Sequence, residues 1–168
     1  GLTSGANANK VIVPAGQTLD ASAGTFTPSS GQVVQTVMTR LLQDPNQFNS
    51  NSTTFADTGH TATITPTSTS SLIYVQLLTT IEVDSDINQA ARVKLFRDST
   101  EIFYSQNIFY TSVSAQDFVG AGYCFAHVDT PSTTSAVTYK TQFAMRESSS
   151  TGAYNKQDAQ FLIMEIAG

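Results

Sequence analysis

Charged side chains are scarce in this chain, making up only 12% of its 168 residues, about half the share in a typical domain. Eight Lys and Arg face thirteen Asp and Glu, for a net charge of -5. Proteins that bind nucleic-acid backbones cluster basic side chains to neutralise phosphates, but here the basic residues are scattered. The composition therefore argues against nucleic-acid binding and leaves Ser, Thr, Asn and Gln to form the solvent-facing surfaces.

Cysteine and long apolar runs are scarce as well. Cys124 is the single cysteine, which excludes an intramolecular disulfide, and no Cys/His cluster has the spacing of a zinc site. No run approaches the ~18 apolar residues of a membrane span, and the N-terminus lacks the pattern of a signal peptide. We therefore predict no metal, no cofactor and no membrane insertion, and expect stability to come from packing and from partner chains.

Residues 1–31 differ from the rest of the chain. They are rich in Gly and contain Pro14 and Pro28 around two short apolar islands. A segment with so few apolar groups cannot bury them alone. It is either a linker or a thin stalk in which sister chains complete the core, and we separate it from a single domain over residues 32–168.

From residue 32 onward, apolar and polar residues alternate with the period of β-strands. Turn signals such as 44–46, 97–99 and 129–131 separate the alternating runs. The predicted strands are 32–40, 61–65, 72–81, 92–97, 101–105, 118–128, 137–146 and 160–167. This pattern predicts an all-β antiparallel sandwich or jelly roll, with one ambiguous stretch, 86–95, that also fits a short helix.

Two of the predicted strands are apolar on both faces. In the last strand Leu162 and Met164 alternate with Phe161 and Ile163, and the strand from residue 72 behaves similarly. A two-sheet sandwich buries one face of each sheet, so the second face requires either another chain or a covering of loops. The residues that we predict to lie on this second, interface face are Leu72, Tyr74, Phe161 and Ile163.

Asp57-Thr58-Gly59 is the one motif with catalytic meaning, since aspartic proteases carry this triplet. Their chemistry needs two carboxylates sharing a proton, yet the triplet occurs once and Phe55-Ala56 replace the two bulky apolar residues expected before it. Gly59 also suits a turn position with positive φ. We therefore interpret the triplet as a turn and predict no catalytic residue and no enzymatic activity.

The remaining reactive side chains have no catalytic context. His60 and His127 are the only histidines, no Gly-x-Ser-x-Gly elbow is present, and we expect both histidines at the surface or an interface. Cys124 lies between Tyr123 and Phe125 and is expected to be a small buried residue.

Aromatic residues beside amides are a second functional signal, because rings stack on apolar surfaces while amides bind hydroxyls. They could equally be core or interface contacts. The candidate receptor contacts are Tyr104, Asn107, Phe109, Tyr110, Tyr154 and Asn155.

Six stretches of the chain, together with residues 11–20, carry a resemblance to a known family. The stretches are 31–35, 55–59, 61–66, 70–75, 129–140 and 164–168. They resemble the C-terminal tip module of tail-fibre and virion structural proteins from bacteriophages, especially marine and cyanobacterial ones. The resemblance implies a homotrimer with a jelly roll like the globular heads of complement and tumour-necrosis-factor proteins.

The resemblance also implies a location on the virion, acting outside the cell, and no reaction. The leading hypothesis is a trimeric fibre tip that adheres to a bacterial cell-surface glycan or, second, to an outer-membrane protein. Multivalent tips would gain avidity from several weak sites. The alternative is a purely structural virion protein, such as a head fibre, decoration protein or trimerisation cap, without a ligand.

Overall fold

The described part of the chain folds into ten β-strands and one short helical turn. A computed structural model describes residue 15 and residues 27–84, 88–112, 118–148 and 151–168. The elements are β1 (Val33–Leu41), α1 (Gln43–Asn46), β2 (Phe48–Ser50), β3 (Ala56–Ile64), β4 (Leu72–Asp84), β5 (Gln89–Arg97), β6 (Thr100–Thr111), β7 (Phe118–Asp129), β8 (Val137–Met145), β9 (Gly152–Tyr154) and β10 (Ala159–Ile166). Within these ranges, no helix is both long enough and apolar enough to cross a membrane.

The strands form two antiparallel sheets. The four-stranded sheet has the order β3-β8-β5-β6. In the six-stranded sheet β4 is central: β7 pairs along one of its edges, and the other edge pairs with β10 and then with β9. β1 extends the sheet beyond β10, and β2 extends it beyond β9. The predicted all-β antiparallel jelly-roll sandwich is confirmed.

All eight predicted strands are present, with most ends shifted by a few residues. The ambiguous stretch is strand from Gln89 onward, because alternate residues such as Ala91, Val93 and Leu95 are fully buried in the core. Residues 86–87 of that stretch lie outside the described part. Sequence alternation missed only β2 and β9, which have three residues each, too few to show a period.

The core lies between the two sheets and consists of one continuous apolar cluster. Its largest fully buried side chains include Tyr139, Tyr154, Phe143 and Phe161. Ring pairs connect the two sheets, for example Phe143 and Tyr154, whose centroids are 6.1 Å apart. Burying aromatic side chains of this size dominates the energetics of a small core.

The Asp57-Thr58-Gly59 triplet lies inside β3, not in a hairpin turn, so the turn interpretation is wrong. The register of β3 against β8 shifts between Asp57 and Thr61, and Gly59 adopts φ 80° there. A glycine with positive φ at a register shift is a β-bulge. The bulge leaves Thr58 and His60 buried.

The two ends of the sandwich differ. At the proximal end, where β1 begins and β10 ends, the Gly31 N–H donates to the Ala167 carbonyl at 2.7 Å. β1, β4, β6 and β8 all end at the opposite, distal end, where α1, β2 and β9 also lie. The division at residue 31 stays a prediction, and residues 1–26 lie outside the described part except for Ala15.

Candidate functional site

The strongest functional feature is the outer face of the six-stranded sheet, the side turned away from the core. Antiparallel register places side chains there in rows across β1, β10, β4 and β7. Paired residues in such rows have side chains on the same face of the sheet. Successive rows are Val33-Ile166-Leu72, Thr36-Met164-Tyr74-Val128, Met38-Leu162-Gln76-Ala126 and Arg40-Gln160-Leu78-Cys124.

The first three of these rows contain no charged side chain. Their apolar members are half-buried or exposed, with 68% of Met38, 54% of Val33 and 52% of Val128 open to solvent. Four strands and four rows span roughly 14 by 20 Å between outermost Cα atoms, from the ordinary strand spacings. The first three rows thus form an uncharged, largely apolar area that is a candidate interaction surface. We call these four rows the outer face.

The outer face corrects the side-chain assignment of β10. Phe161 and Ile163 were predicted to lie at the interface, but both are fully buried between the sheets. Leu162 and Met164 point outward, in one row each with Gln76 and Tyr74. The predicted choice of face was wrong, because alternation alone does not indicate which face of β10 meets the core, and burial of the second face stays a prediction.

Leu72 and Tyr74 of β4 lie on the outer face as predicted, both half-exposed. They occupy the first and second rows, next to Ile166 and Met164. The interface role of Leu72 and Tyr74 stays a prediction, and β1 and β7 contribute neighbouring residues of the outer face that sequence reasoning missed.

β7 borders the outer face and carries small side chains there. Gly122, Cys124 and Ala126 are exposed along it, so the expectation of a buried Cys124 is wrong. Phe125, the neighbour of Cys124, takes the core position instead. Within the described residues β7 pairs with β4 alone, and over its twelve residues it has no Lys, Arg or Pro. Such an unprotected edge strand is open to pairing or packing with another chain.

Aromatic residues predicted as receptor contacts divide into exposed and buried ones. Tyr104 and Tyr110 on β6 are 39% and 45% exposed. The Arg146 guanidinium lies 5.0 Å from the Tyr110 ring centroid, and Lys94 Nζ lies 5.4 Å from that of Tyr104. Both rings are thereby held in place by cations.

The other candidates are less accessible. Asn107 is exposed, and its side-chain oxygen accepts a hydrogen bond from Arg146 at 3.5 Å, while Phe109 packs half-buried against the core. Tyr154 and Asn155 are fully buried. The receptor-contact prediction is wrong for these last two, because β9 turns Tyr154 into the core and the Asn155 amide donates to the Leu42 and Asn46 carbonyls.

Asp57 is an ion-pair partner on the outer side of the four-stranded sheet. Its carboxylate accepts hydrogen bonds from Lys140 Nζ at 2.8 Å and from Gln142 Nε2 at 2.7 Å. These bonds, Lys140 first, hold the pKa of Asp57 below its ordinary value. A protease dyad instead needs one carboxyl that keeps its proton. Among the described residues no group of three His, Cys, Asp or Glu could hold a metal ion.

His60 is buried, against the expectation of a surface position. Its ring lies 4.3 Å from the Phe161 ring centroid, and Nδ1 is 3.1 Å from the Tyr154 hydroxyl. Removal from water lowers the pKa of His60 to about 4, although a backbone hydrogen bond at Thr39 opposes part of that shift. His60 is therefore neutral near pH 7.

Glu165 is a second buried polar group, on the core side of β10. Thr67 donates to Oε1 from its backbone N–H and its hydroxyl, each at 2.7 Å, and Ser71 Oγ donates at 2.6 Å. Gln35 Nε2 donates to Oε2 at 2.6 Å. Burial raises the pKa of Glu165, but the hydrogen bonds together outweigh it and leave the pKa below the ordinary value. This network ties β1, β10 and the β3–β4 connection together at the proximal end.

The chain matches no family model, and no curated protein is similar to it. Among solved structures it is similar to infectious bursal disease virus VP2 in a subviral particle. That match has a TM-score of 0.44 and 15% identity and covers 93% of this chain and 38% of the other. A structure of the Gt strain of the same virus matches with a TM-score of 0.44 and 11% identity over 93% of this chain and 43% of the other.

This chain thus spans about two fifths of the length of the viral chains it matches. Because both TM-scores lie below 0.5, we base the function on the chain's own residues.

Sequence reasoning missed three members of the outer face, Val33, Met38 and Val128. Met38 alternates with Val37 in a short run whose other outward residues, Thr36 and Arg40, are polar, so β1 is not apolar on both faces. Only its pairing with β10 brings Met38 beside Leu162. Val128 has a comparable signal, since it follows Phe125 by three residues and therefore faces the opposite side of β7.

Proposed function

We propose that this protein is a non-enzymatic structural module of a virion that assembles as a homotrimer through the outer face. The observation that carries the proposal is an uncharged apolar sheet face on an already complete sandwich. The core lies between the sheets, so the outer face contributes less to the folding of one chain than the core does and leaves apolar side chains partly in water.

A second copy of the chain is the occupant that best fits the outer face. The first three rows lack charge, as the core of an interface does, and the unprotected edge of β7 borders them directly. The β7 edge of one copy can thus pack against the outer face of a second copy. Repeating this contact around an axis closes a ring of copies. The resemblance to phage fibre tips supplies the number three and the location on the virion exterior.

Light scattering on the purified chain tests the assembly. We expect three times the chain mass of 18.0 kDa at micromolar concentration. Met38→Arg introduces a charge on the outer face at its β1 side and should give folded monomers, because an unpaired charge cannot be buried between copies without a large cost.

The matched control is Thr63→Arg, which introduces the same charge on the exposed side of β3. This variant should stay trimeric. A monomeric wild type, or a Met38→Arg variant that assembles as well as the control, would overturn the proposal.

Recognition of a bacterial surface is a second candidate function, and the position of the loops favours it. The chain enters the sandwich at the proximal end, while the connections from β1 to β3 and from β8 to β10 lie at the distal end. Tyr110 lies near that end of β6 with its hydroxyl donating to Asn88 Oδ1 at 2.6 Å. Loops on a rigid scaffold commonly carry binding residues, and a distal position faces away from the point of attachment.

The expected ligand for surface recognition is a cell-surface glycan, and the next candidate is an outer-membrane protein. The test is binding of the fluorescently labelled domain to whole host cells, with competition against adsorption of the virus. Failure to bind any permissive strain would leave the purely structural function.

A further inference from the structure

A small cavity of about 230 Å³ opens at the distal end of the six-stranded sheet, beyond the last row of the outer face. Phe118 of β7 lines it, and three further strands, β2, β9 and β4, contribute one row of residues, Asn49, Ala153 and Glu82. These residues share one face of the sheet, since they are paired partners. The cavity therefore has a floor of regular β-structure and not of loops.

The floor is low at Ala153, the middle residue of the row Asn49-Ala153-Glu82. Ala153 presents one methyl group, and Gly120 presents none. A Cβ at Gly120 would lie 2.6 Å from the Ile81 carbonyl oxygen, so this position cannot carry a side chain. A glycine at a close backbone approach in a strand thus leaves the position beside Glu82 on β7 without a side chain.

The walls are one aromatic ring and three different hydrogen-bonding groups. Phe118 of β7 is 65% exposed at one side, and the Asn49 amide is exposed on β2. Between them Lys156 Nζ lies 3.0 Å from Glu82 Oε1, with both side chains partly open to solvent. An amide, a carboxylate and an ammonium group together accept and donate hydrogen bonds.

We propose that this cavity binds a single neutral sugar residue of a surface glycan. The C–H face of a sugar ring packs on an aromatic ring, while carboxylate, amide and ammonium groups bind its hydroxyls. The volume is smaller than the ~300 Å³ at which pockets for larger ligands begin, which favours one terminal residue over an extended chain.

Charge selects a neutral sugar over an acidic one. Glu82 and Lys156 cancel each other, and Asp84 is paired with Phe118 in the next row of the same face. The site thus has a negative balance, as does the whole chain at -5, and both repel carboxylated or phosphorylated sugars. The proposal rests on the second candidate function, surface recognition, and three such cavities on one trimer would add avidity to millimolar single sites.

Saturation-transfer NMR with simple sugars tests the cavity directly. The probes are the methyl glycosides of galactose, mannose, glucose and N-acetylglucosamine, with glucuronic acid as the acidic probe. We expect at least one neutral probe to bind with a dissociation constant on the order of 1 mM and glucuronic acid to bind more weakly.

Substitutions assign the binding to this cavity. Phe118→Ala should weaken binding of the neutral probe about tenfold or more, which corresponds to ~1.4 kcal/mol. Phe118→Tyr should bind the probe as the wild type does. Leu42→Ala removes a similarly exposed apolar side chain outside the cavity and should change nothing. All variants should keep the wild-type mass and circular dichroism, because both side chains are largely exposed.

The proposal is overturned if no neutral probe binds the wild type, if glucuronic acid alone binds, or if Phe118→Ala binds as well as the wild type. Cell binding measured on the same samples distinguishes failure of the sugar-binding proposal from failure of surface recognition. If the wild-type domain binds cells but no sugar, the sugar site is refuted and surface recognition is kept. If it binds neither cells nor sugar, surface recognition is refuted as well.

Discussion

At the scale of single residues, His60 and Glu165 are polar groups that folding removes from water in opposite protonation states. His60 is held neutral between the sheets, and Glu165 is held ionised by four donors. Acid therefore acts on the two groups in different pH ranges.

His60 should make the fold lose stability as the pH falls from 6.5 towards 4. The unfolded chain binds a proton near the ordinary pKa of 6.5, while the folded chain resists it until about 4. The free energy of unfolding should therefore drop by up to about 1.4 kcal/mol per pH unit in that window.

Urea denaturation between pH 7 and 4.5 measures this slope. His60→Gln should flatten it, because the glutamine amide takes up no proton in this pH range. If the slope of His60→Gln equals that of the wild type, groups other than His60 cause the acid sensitivity.

Glu165 affects stability at a lower pH than His60. On acidification the unfolded chain protonates this carboxylate before the folded chain does. Its folded pKa lies below the ordinary 4.5, so its stabilisation is complete above that value and is lost as the pH falls through the folded pKa. Glu165→Gln should lower the free energy of unfolding by about 1–3 kcal/mol at pH 7. One carboxylate oxygen is replaced by an amide nitrogen, which cannot accept the hydrogen bond that Gln35 donates.

Urea denaturation extended from pH 4.5 down to pH 3 should show the difference between wild type and Glu165→Gln shrinking. Glu101→Gln, at an exposed ion pair with Lys94, should cost no more than about 0.5 kcal/mol. A difference that stays constant down to pH 3 would contradict the role of the ionised carboxylate.

At the scale of elements, β10 is a strand with two apolar faces and two different functions. Ile163 is fully buried in the core, and its neighbour Leu162 is half-buried on the outer face. The same truncation at the two positions should therefore act on different equilibria.

Ile163→Ala should lower the free energy of unfolding by about 2–5 kcal/mol through lost burial and a cavity. Leu162→Ala should lower it by less than about 1 kcal/mol but weaken the trimer. Measuring unfolding in the Met38→Arg background removes the contribution of assembly. Equal losses at the two positions would show that the outer face is part of the monomer core.

At the scale of the whole molecule, Cys124 reports whether the outer face is covered. The thiol is exposed in the single chain and is the only cysteine, so its reaction with a disulfide reagent is unambiguous. In the trimer we expect the reaction to be about tenfold or more slower than in Met38→Arg, because attack requires access to the sulfur. Identical fast rates would mean that the outer face is open in solution.

The strand count and fold class were predictable because alternation is a local property of the chain. Val137–Met145 illustrates this, with Val137, Tyr139 and Phe143 buried on one side as their spacing of two requires. The three-residue strands β2 and β9 were not predictable, since they exist only through pairing with each other and with β4.

The candidate site was predictable in kind but not in detail. Alternation in β4 and β10 showed that a second apolar face exists. It could not show which of Leu162 and Ile163 faces outward, because a shift by one residue exchanges the two faces of a strand. Likewise, Tyr154 and Tyr104 look alike as aromatic residues beside polar ones, and only the position of β9 under the core separates the buried ring from the exposed one.

The sequence by itself determined an antiparallel sandwich, an uncharged surplus of apolar surface and the absence of a protease pattern around Asp57, all of which depend on neighbours along the chain. Only the tertiary structure decided that Met38, Leu162 and Val128 share one surface and that Phe118 stands over a cavity beside Glu82. These groupings join strands far apart in sequence, and the register of long-range pairing that creates them is set by the packed core as a whole.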